Sequence, residues 1–290
     1  MRINPVLRNE AKITVRNKRF TLMLFFYIVV VSIGVVLYYK SFTSEIYVNG
    51  LYMQSTTTLY VLMSIVQAIF LIFMVPSLTS SAISSEREKQ TLDILLSTKL
   101  TPFQIIIGKL LSSSLKVVML IICTIPLYGI CSLIGGVSIV NILELAGFFI
   151  VNTIFVGAIG MLISTYAKTS KVSTTITYFL VLFIYIGILI IAYILFMFSM
   201  RNNYMNPNIK VNPIIYLSPV TGFISLLSNQ LGARETIFYF FQYSGISSYT
   251  EYISIGIQLV LSAIFLYLAS VKLNPLKKER VKRKSKKLKE

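Results

Sequence analysis

Residues 59–102 read LYVLMSIVQAIFLIFMVPSLTSSAISSEREKQTLDILLSTKLTP. Leu59–Ile83 is an uncharged apolar run of 25 residues, and a helix needs about 20 apolar residues to cross a bilayer. Ser84–Pro102 is different: short, amphipathic and dense in charge, with another long apolar run directly after it. A polar segment between two spans belongs at a membrane face and offers a docking handle there.

The whole chain agrees with that start. Its 290 residues are 56% hydrophobic and only 13% charged, with a mean hydropathy of +0.78. A soluble domain carries about 25% charged residues, so composition alone defines a membrane protein. Six apolar runs follow: Thr21–Tyr39, Leu59–Ile83, Gln104–Leu133, Leu143–Ala167, Val172–Phe198 and Tyr252–Leu273. These predict an all-α integral membrane protein with six transmembrane helices over 21–273, an interfacial helix over 1–20 and a basic tail over 274–290. The first run exceeds a signal-peptide core and lacks a small-residue cleavage site, so it is expected to stay as an anchor.

The net charge of +17 is unevenly spread, with a net 12 positive charges on residues 1–20 and 274–290. Basic clusters flanking spans follow the positive-inside rule and attract anionic headgroups, which argues for anionic membrane lipids and against nucleic acid. Arg87, Lys89, Lys99, Lys168 and Lys171 mark two further basic connections, whereas the alternate connections carry few cations. Both termini are therefore predicted to be cytoplasmic. Without tryptophan, the tyrosines Tyr38, Tyr39, Tyr60, Tyr166 and Tyr252 are expected at the water–lipid boundaries.

Arg8, Lys12, Arg16 and Arg19 recur along one helical ridge, with Ile3, Leu7 and Ala11 on another face. The pattern predicts an amphipathic helix in the cytoplasmic interface; simple topogenic charge is the alternative. The outer segment at about 200–251 holds Asn206-Pro207, Asn212-Pro213 and Ser218-Pro219, then the apolar stretches Val220–Leu227 and Ile237–Tyr243. These are too short to span and suggest re-entrant or capping helices.

Catalytic chemistry finds little footing. There is no histidine, which removes imidazole bases, His metal sites and Ser-His or Cys-His pairs. Cys123 and Cys131 lie about 12 Å apart on a helix, too far for a disulfide. Gly108-Lys109 lacks the upstream glycine of a Walker A loop. Asp93 is the single aspartate, so an aspartyl dyad is impossible. The spans hold no charged relay: Lys109 and Lys116 are near enough to an end to snorkel, and Gln67 and Asn152 suit interhelical hydrogen bonds. Energy for moving a solute must come from elsewhere.

Within Ser84–Pro102, Ser85 and Glu88 have the spacing of a capping box, and Glu86 and Glu88 suit a first helical turn. Leu92, Leu95, Leu96 and Lys99 form a stripe on one face of a helix expected over about 85–98 and ended by Pro102. That stripe wants a groove, either in this protein or in a partner. On the partner reading, Leu92→Asp with Leu95→Asp abolishes partner binding while the chain still inserts.

Pro76, the run Ile83–Thr98 with its Glu86-Arg87-Glu88 and Thr91-Leu92-Asp93-Ile94-Leu95-Leu96, then Thr101-Pro102 and Gly108-Lys109, resembles the cytoplasmic signature of ABC-2-type transporter permeases. Lys99-Leu100 departs from it, since relatives often place the proline directly after the threonine. The resemblance implies a coupling helix seated in a separate cytoplasmic ABC ATP-binding subunit. It assigns Glu86, Arg87, Glu88 and Gln90 as polar contacts there, and Thr91, Leu92, Leu95 and Leu96 as apolar ones. It also implies that the Arg8–Arg19 helix touches that subunit and that a second permease protomer, identical or related, completes the translocator. ATP and Mg would bind to the partner, leaving no cofactor, metal or catalytic residue in this chain. The expected function is ATP-driven export across the cell membrane, in a bacterium by the Ile, Lys, Asn and Tyr richness. The rivals are a membrane anchor or sensor that recruits a cytoplasmic protein, and a secondary transporter.

Overall fold

In a computed structural model of the chain, the described residues are 18–49, 52–97, 101–133, 137–202, 213–231 and 249–273. They are helical throughout. In order they form α1 (Lys18–Asn49), α2 (Tyr52–Thr79), α3 (Ser84–Glu88), α4 (Leu92–Leu96), α5 (Pro102–Leu133), α6 (Ile139–Tyr166) and α7 (Ser170–Leu182). A π-helical turn (Phe183–Gly187) leads into α8 (Ile188–Asn202), and a 3₁₀ turn (Pro213–Leu217) precedes α9 (Pro219–Leu231) and α10 (Thr250–Leu273). Five helical stretches are long and apolar enough to cross a membrane, and α1 carries a shorter apolar stretch, Leu24–Leu37. Of the predicted basic ridge, Arg8, Lys12 and Arg16 lie outside the described residues, as do Ile237–Tyr243 and residues 274–290; Arg19 falls in the first turn of α1.

Helix starts follow local chemistry. Thr101 Oγ1 accepts from the Gln104 amide at 3.3 Å while Gln104 Oε1 accepts from the Thr101 amide at 3.0 Å, a reciprocal capping box with Pro102 in the first helical position. Pro102 thus opens α5 rather than closing the segment before it. Ser138 caps α6 by accepting from the Val140 amide. In α2, Pro76 removes a backbone donor, and the Tyr178 hydroxyl donates to the nearby Phe73 carbonyl at 2.8 Å.

Helix α6 is the axis of the bundle, packed against α2, α5, α7 and α10. A Cβ at Gly160 would lie 3.0 Å from Thr79 Cβ and 3.2 Å from the Ser80 amide, so only glycine lets α6 approach the end of α2 this closely. The main core includes the rings of Phe148, Phe149 and Phe223, with centroids 5.9–6.4 Å apart. A second cluster, at the end of the bundle that carries Lys168 and Lys171, joins Ile83, Leu92, Ile106, Leu110, Met161, Ala269 and Leu273.

Buried amides bind helices together as their positions foretold. Gln67 donates to Thr124 Oγ1 at 3.1 Å and accepts from the Tyr128 hydroxyl at 2.6 Å, and Asn152 accepts from the Tyr185 hydroxyl. Tyr60 departs from expectation. Instead of marking a lipid boundary it is fully buried, its hydroxyl donating to Gln230 Oε1 at 2.8 Å, because a polar partner on α9 is available inside the bundle. Tyr166 and Tyr252 are exposed, and Lys272 Nζ lies 4.9 Å over the Tyr166 ring. The 13-residue α9 is too short to span. It starts beside the π turn, where Ser218 Oγ donates to the Tyr185 carbonyl at 3.3 Å, and ends where Gln230 Nε2 donates to the Asn141 carbonyl at 3.0 Å.

Candidate functional site: the connection between α2 and α5

The residues between α2 and α5 do not form the single helix expected over about 85–98. They make two helices of five residues each, α3 and α4, with a break at Gln90. Gln90 has φ +58°, the left-handed region. Its amide donates to the Arg87 carbonyl at 3.2 Å, and the Thr91 amide donates to the Glu86 carbonyl at 2.9 Å. That is a Schellman closure, with glutamine where glycine is usual. Glu86, Arg87 and Glu88, three consecutive positions that sweep about 200° of arc, are each anchored to another helix, and the chain turns at Gln90 directly after them.

Glu86 pairs with Lys109 on α5, Oε1 to Nζ 2.6 Å, and the same ammonium donates to the Ala82 carbonyl at 3.1 Å. Lys109 does not snorkel. Its side chain is 9% exposed, because a carboxylate is delivered to it and inward pairing replaces the reach for water. Arg87 donates to the Thr165 carbonyl at 2.8 Å and to the Ala167 carbonyl, closing the C-terminal end of α6, where a cation complements the helix dipole. Glu88 turns to α7, accepting from the Ser170 amide at 3.0 Å (Oε1) and from the Ser170 hydroxyl at 2.5 Å (Oε2). These two bonds, the hydroxyl first, hold the Glu88 carboxyl below the ordinary carboxylate range. A lowered value favours the charged form, so the link is present above that range and is lost only as pH falls through it.

The expected capping box is absent: no side chain of the segment caps α3. Ser164 on α6 takes that role, its Oγ accepting from the Ile83 and Ser84 amides at 2.9 Å each. A cap from a distant helix leaves no local spacing to recognise.

The leucine stripe divides. Leu92 is 9% exposed in the second cluster, and Leu96 packs against the same cluster. Leu95 is half-buried. Leu92→Asp therefore strikes this protein's own packing, and the groove that the stripe wanted is largely its own. The exposed residues are Glu88, Lys89, Gln90, Thr91, Asp93, Ile94 and Ser97, with Ile94 69% exposed. Of the residues assigned to docking by resemblance, Gln90 and Thr91 are exposed, Glu88 is exposed while bonded to Ser170, and Glu86 and Arg87 are partly buried and bonded within the chain. The resemblance assigns no contact to Lys89, Asp93 or Ile94. The available signal was that Ile94 lies about 200° around a helix from Leu92, an apolar residue opposite the apolar stripe.

A helical bundle with five membrane-length apolar stretches, and a short charged connection anchored across one end, defines a polytopic membrane protein. The profile of the ABC-2 family transporter proteins matches residues 4–274, and the chain belongs to that family. It is the membrane domain of a transporter, a permease subunit. No curated protein matches it significantly.

Proposed function

We propose that this chain is the six-span permease subunit of an ATP-driven exporter, powered by a separate cytoplasmic ATP-binding subunit. In this reading α1 is the sixth span, both termini are cytoplasmic, and two permease protomers complete the path in a bacterial cell membrane. ATP and Mg belong to the partner, which docks on the outward face of α4. One observation carries the reading. Ile94 is 69% exposed on a segment whose neighbouring charges, Glu86, Arg87 and Glu88, are all bonded to the bundle. A rigidly mounted segment with one projecting apolar side chain suits a partner's groove and transmits force instead of yielding to it. ATP must favour one arrangement of the assembly by several kcal/mol to drive it.

The test is purification of tagged protein from its own membranes, with identification of the bound subunits. An ATP-binding subunit should accompany the wild type, and Ile94→Asp should reduce its recovery at least tenfold while the chain inserts normally. Recovery of a non-ATPase protein instead would favour the anchor reading, and unchanged recovery with Ile94→Asp would remove α4 as the docking face.

A further inference from the structure

Chain connectivity joins α3 and α4 to α2 and α5 only. By connectivity alone, a pull on α4 would reach those two spans. Glu88 adds a third. It accepts both the amide and the hydroxyl of Ser170, the first residue of α7. Thr169, at the cap position of α7, supplies no side-chain bond, so Glu88 is the cap of α7 provided from another element. Its negative charge also sits at the positive end of the α7 dipole.

The span that begins there is only partly enclosed by the bundle. Val172, Ile176, Phe179, Phe183, Ile186 and Ile190 run along it as an exposed apolar stripe, so much of its surface is not held by the bundle. Its contact with the end of α2 is made by small hydroxyls: Ser173 donates to the Ser80 carbonyl, and Ser80 donates to Thr174 Oγ1 at 3.1 Å. Hydroxyl contacts between membrane helices are individually weak, and they exchange partners without opening a cavity. The π turn then interrupts the helix at Phe183–Gly187, a form that often marks functional positions. At its centre, Tyr185 binds Asn152 on α6 through its hydroxyl and Ser218 before α9 through its carbonyl.

We propose that Glu88 is a positioning residue for coupling: through Ser170 it makes α7 and the π turn respond to the subunit docked on α4. The proposal rests on the docking reading above. Glu88 acts without touching ATP or solute. Its role is to hold the start of α7 to the segment that moves, so that displacement of α4 becomes displacement of the span.

The experiment uses the complex purified with its ATP-binding subunit and placed in lipid nanodiscs. Spin labels go on native Cys123, exposed on α5, and on Ile186→Cys in the π turn, with buried Cys131 replaced by alanine. The distance between them is measured without nucleotide and after trapping with ATP and vanadate. The unaltered Glu88 complex should show a nucleotide-dependent shift. Glu88→Ala should lose it while still retaining the ATP-binding subunit at wild-type stoichiometry. Glu88→Gln, whose carbonyl can still accept from the Ser170 amide, should keep most of it. Ser170→Ala removes the hydroxyl alone and should reduce the shift even if Glu88→Ala does not fold. A full shift in Glu88→Ala or in Ser170→Ala, or no shift with Glu88 intact, overturns the proposal while leaving docking untouched. Absence of any ATP-binding subunit from the unaltered complex overturns the docking reading and takes this one with it.

Discussion

Lys109 lies in the third turn of an apolar helix, where an ammonium must either reach for water or find a carboxylate. It finds Glu86 at 2.6 Å, with the Ala82 carbonyl at 3.1 Å as a further acceptor. Removing one member of a buried pair costs more than the pair itself contributes, because a desolvated charge is left facing an apolar wall. Glu86→Ala should therefore lower stability by about 3 kcal/mol, read as an earlier thermal transition of the detergent-purified protein. Glu86→Leu combined with Lys109→Met should recover most of that loss, since the charge and its desolvation disappear together. A double substitution as damaging as the single one would mean that the pair stabilises the fold outright.

Gln90 sets the shape of the element around it. A left-handed conformation costs an L-residue about 1–2 kcal/mol, and glycine escapes that cost while losing about 0.5–1 kcal/mol of chain entropy. Gln90→Gly should thus be neutral or stabilising by up to about 1 kcal/mol, whereas the β-branched Gln90→Val should destabilise. The measurement is amide exchange across residues 84–97 of the purified protein: protection preserved or raised with glycine and lost with valine. The reverse order would mean that the bend at Gln90 is not what lets α3 and α4 face different ways.

At the scale of the molecule, the sides of the bundle follow from charge. Lys168 and Lys171 share a rim with the α3–α4 platform, and Tyr249 lies at the opposite end, ahead of α10. The positive-inside rule predicts that the platform rim is cytoplasmic. In a variant with Cys123 and Cys131 replaced by alanine, Lys168→Cys should react with an impermeant maleimide only after the cells are opened. Tyr249→Cys should react in intact cells. Labelling in the opposite order would invert the topology and leave α4 on the wrong side for a cytoplasmic partner.

Hydropathy made the long helices legible because lipid imposes a length and an apolar composition on any span. The runs Gln104–Leu133, Leu143–Ala167 and Tyr252–Leu273 differ from α5, α6 and α10 by a few residues. The roles of Gln67 and Asn152 were legible for the same reason, since a deep amide must find a partner. What each charge of the platform touches was not. Ser164, Ser170 and Lys109 meet Glu86, Glu88 and the start of α3 across 23 to 82 positions of sequence. Local spacing instead suggested a capping box and one straight helix.

By itself, the sequence determined the membrane class, the long apolar runs and the amphipathic connection between two of them. Only the tertiary structure decided which way that connection faces. The reason is physical: burial in lipid is a property of one segment's composition, whereas the partner of a charged side chain depends on which distant helix end is brought within 3 Å of it.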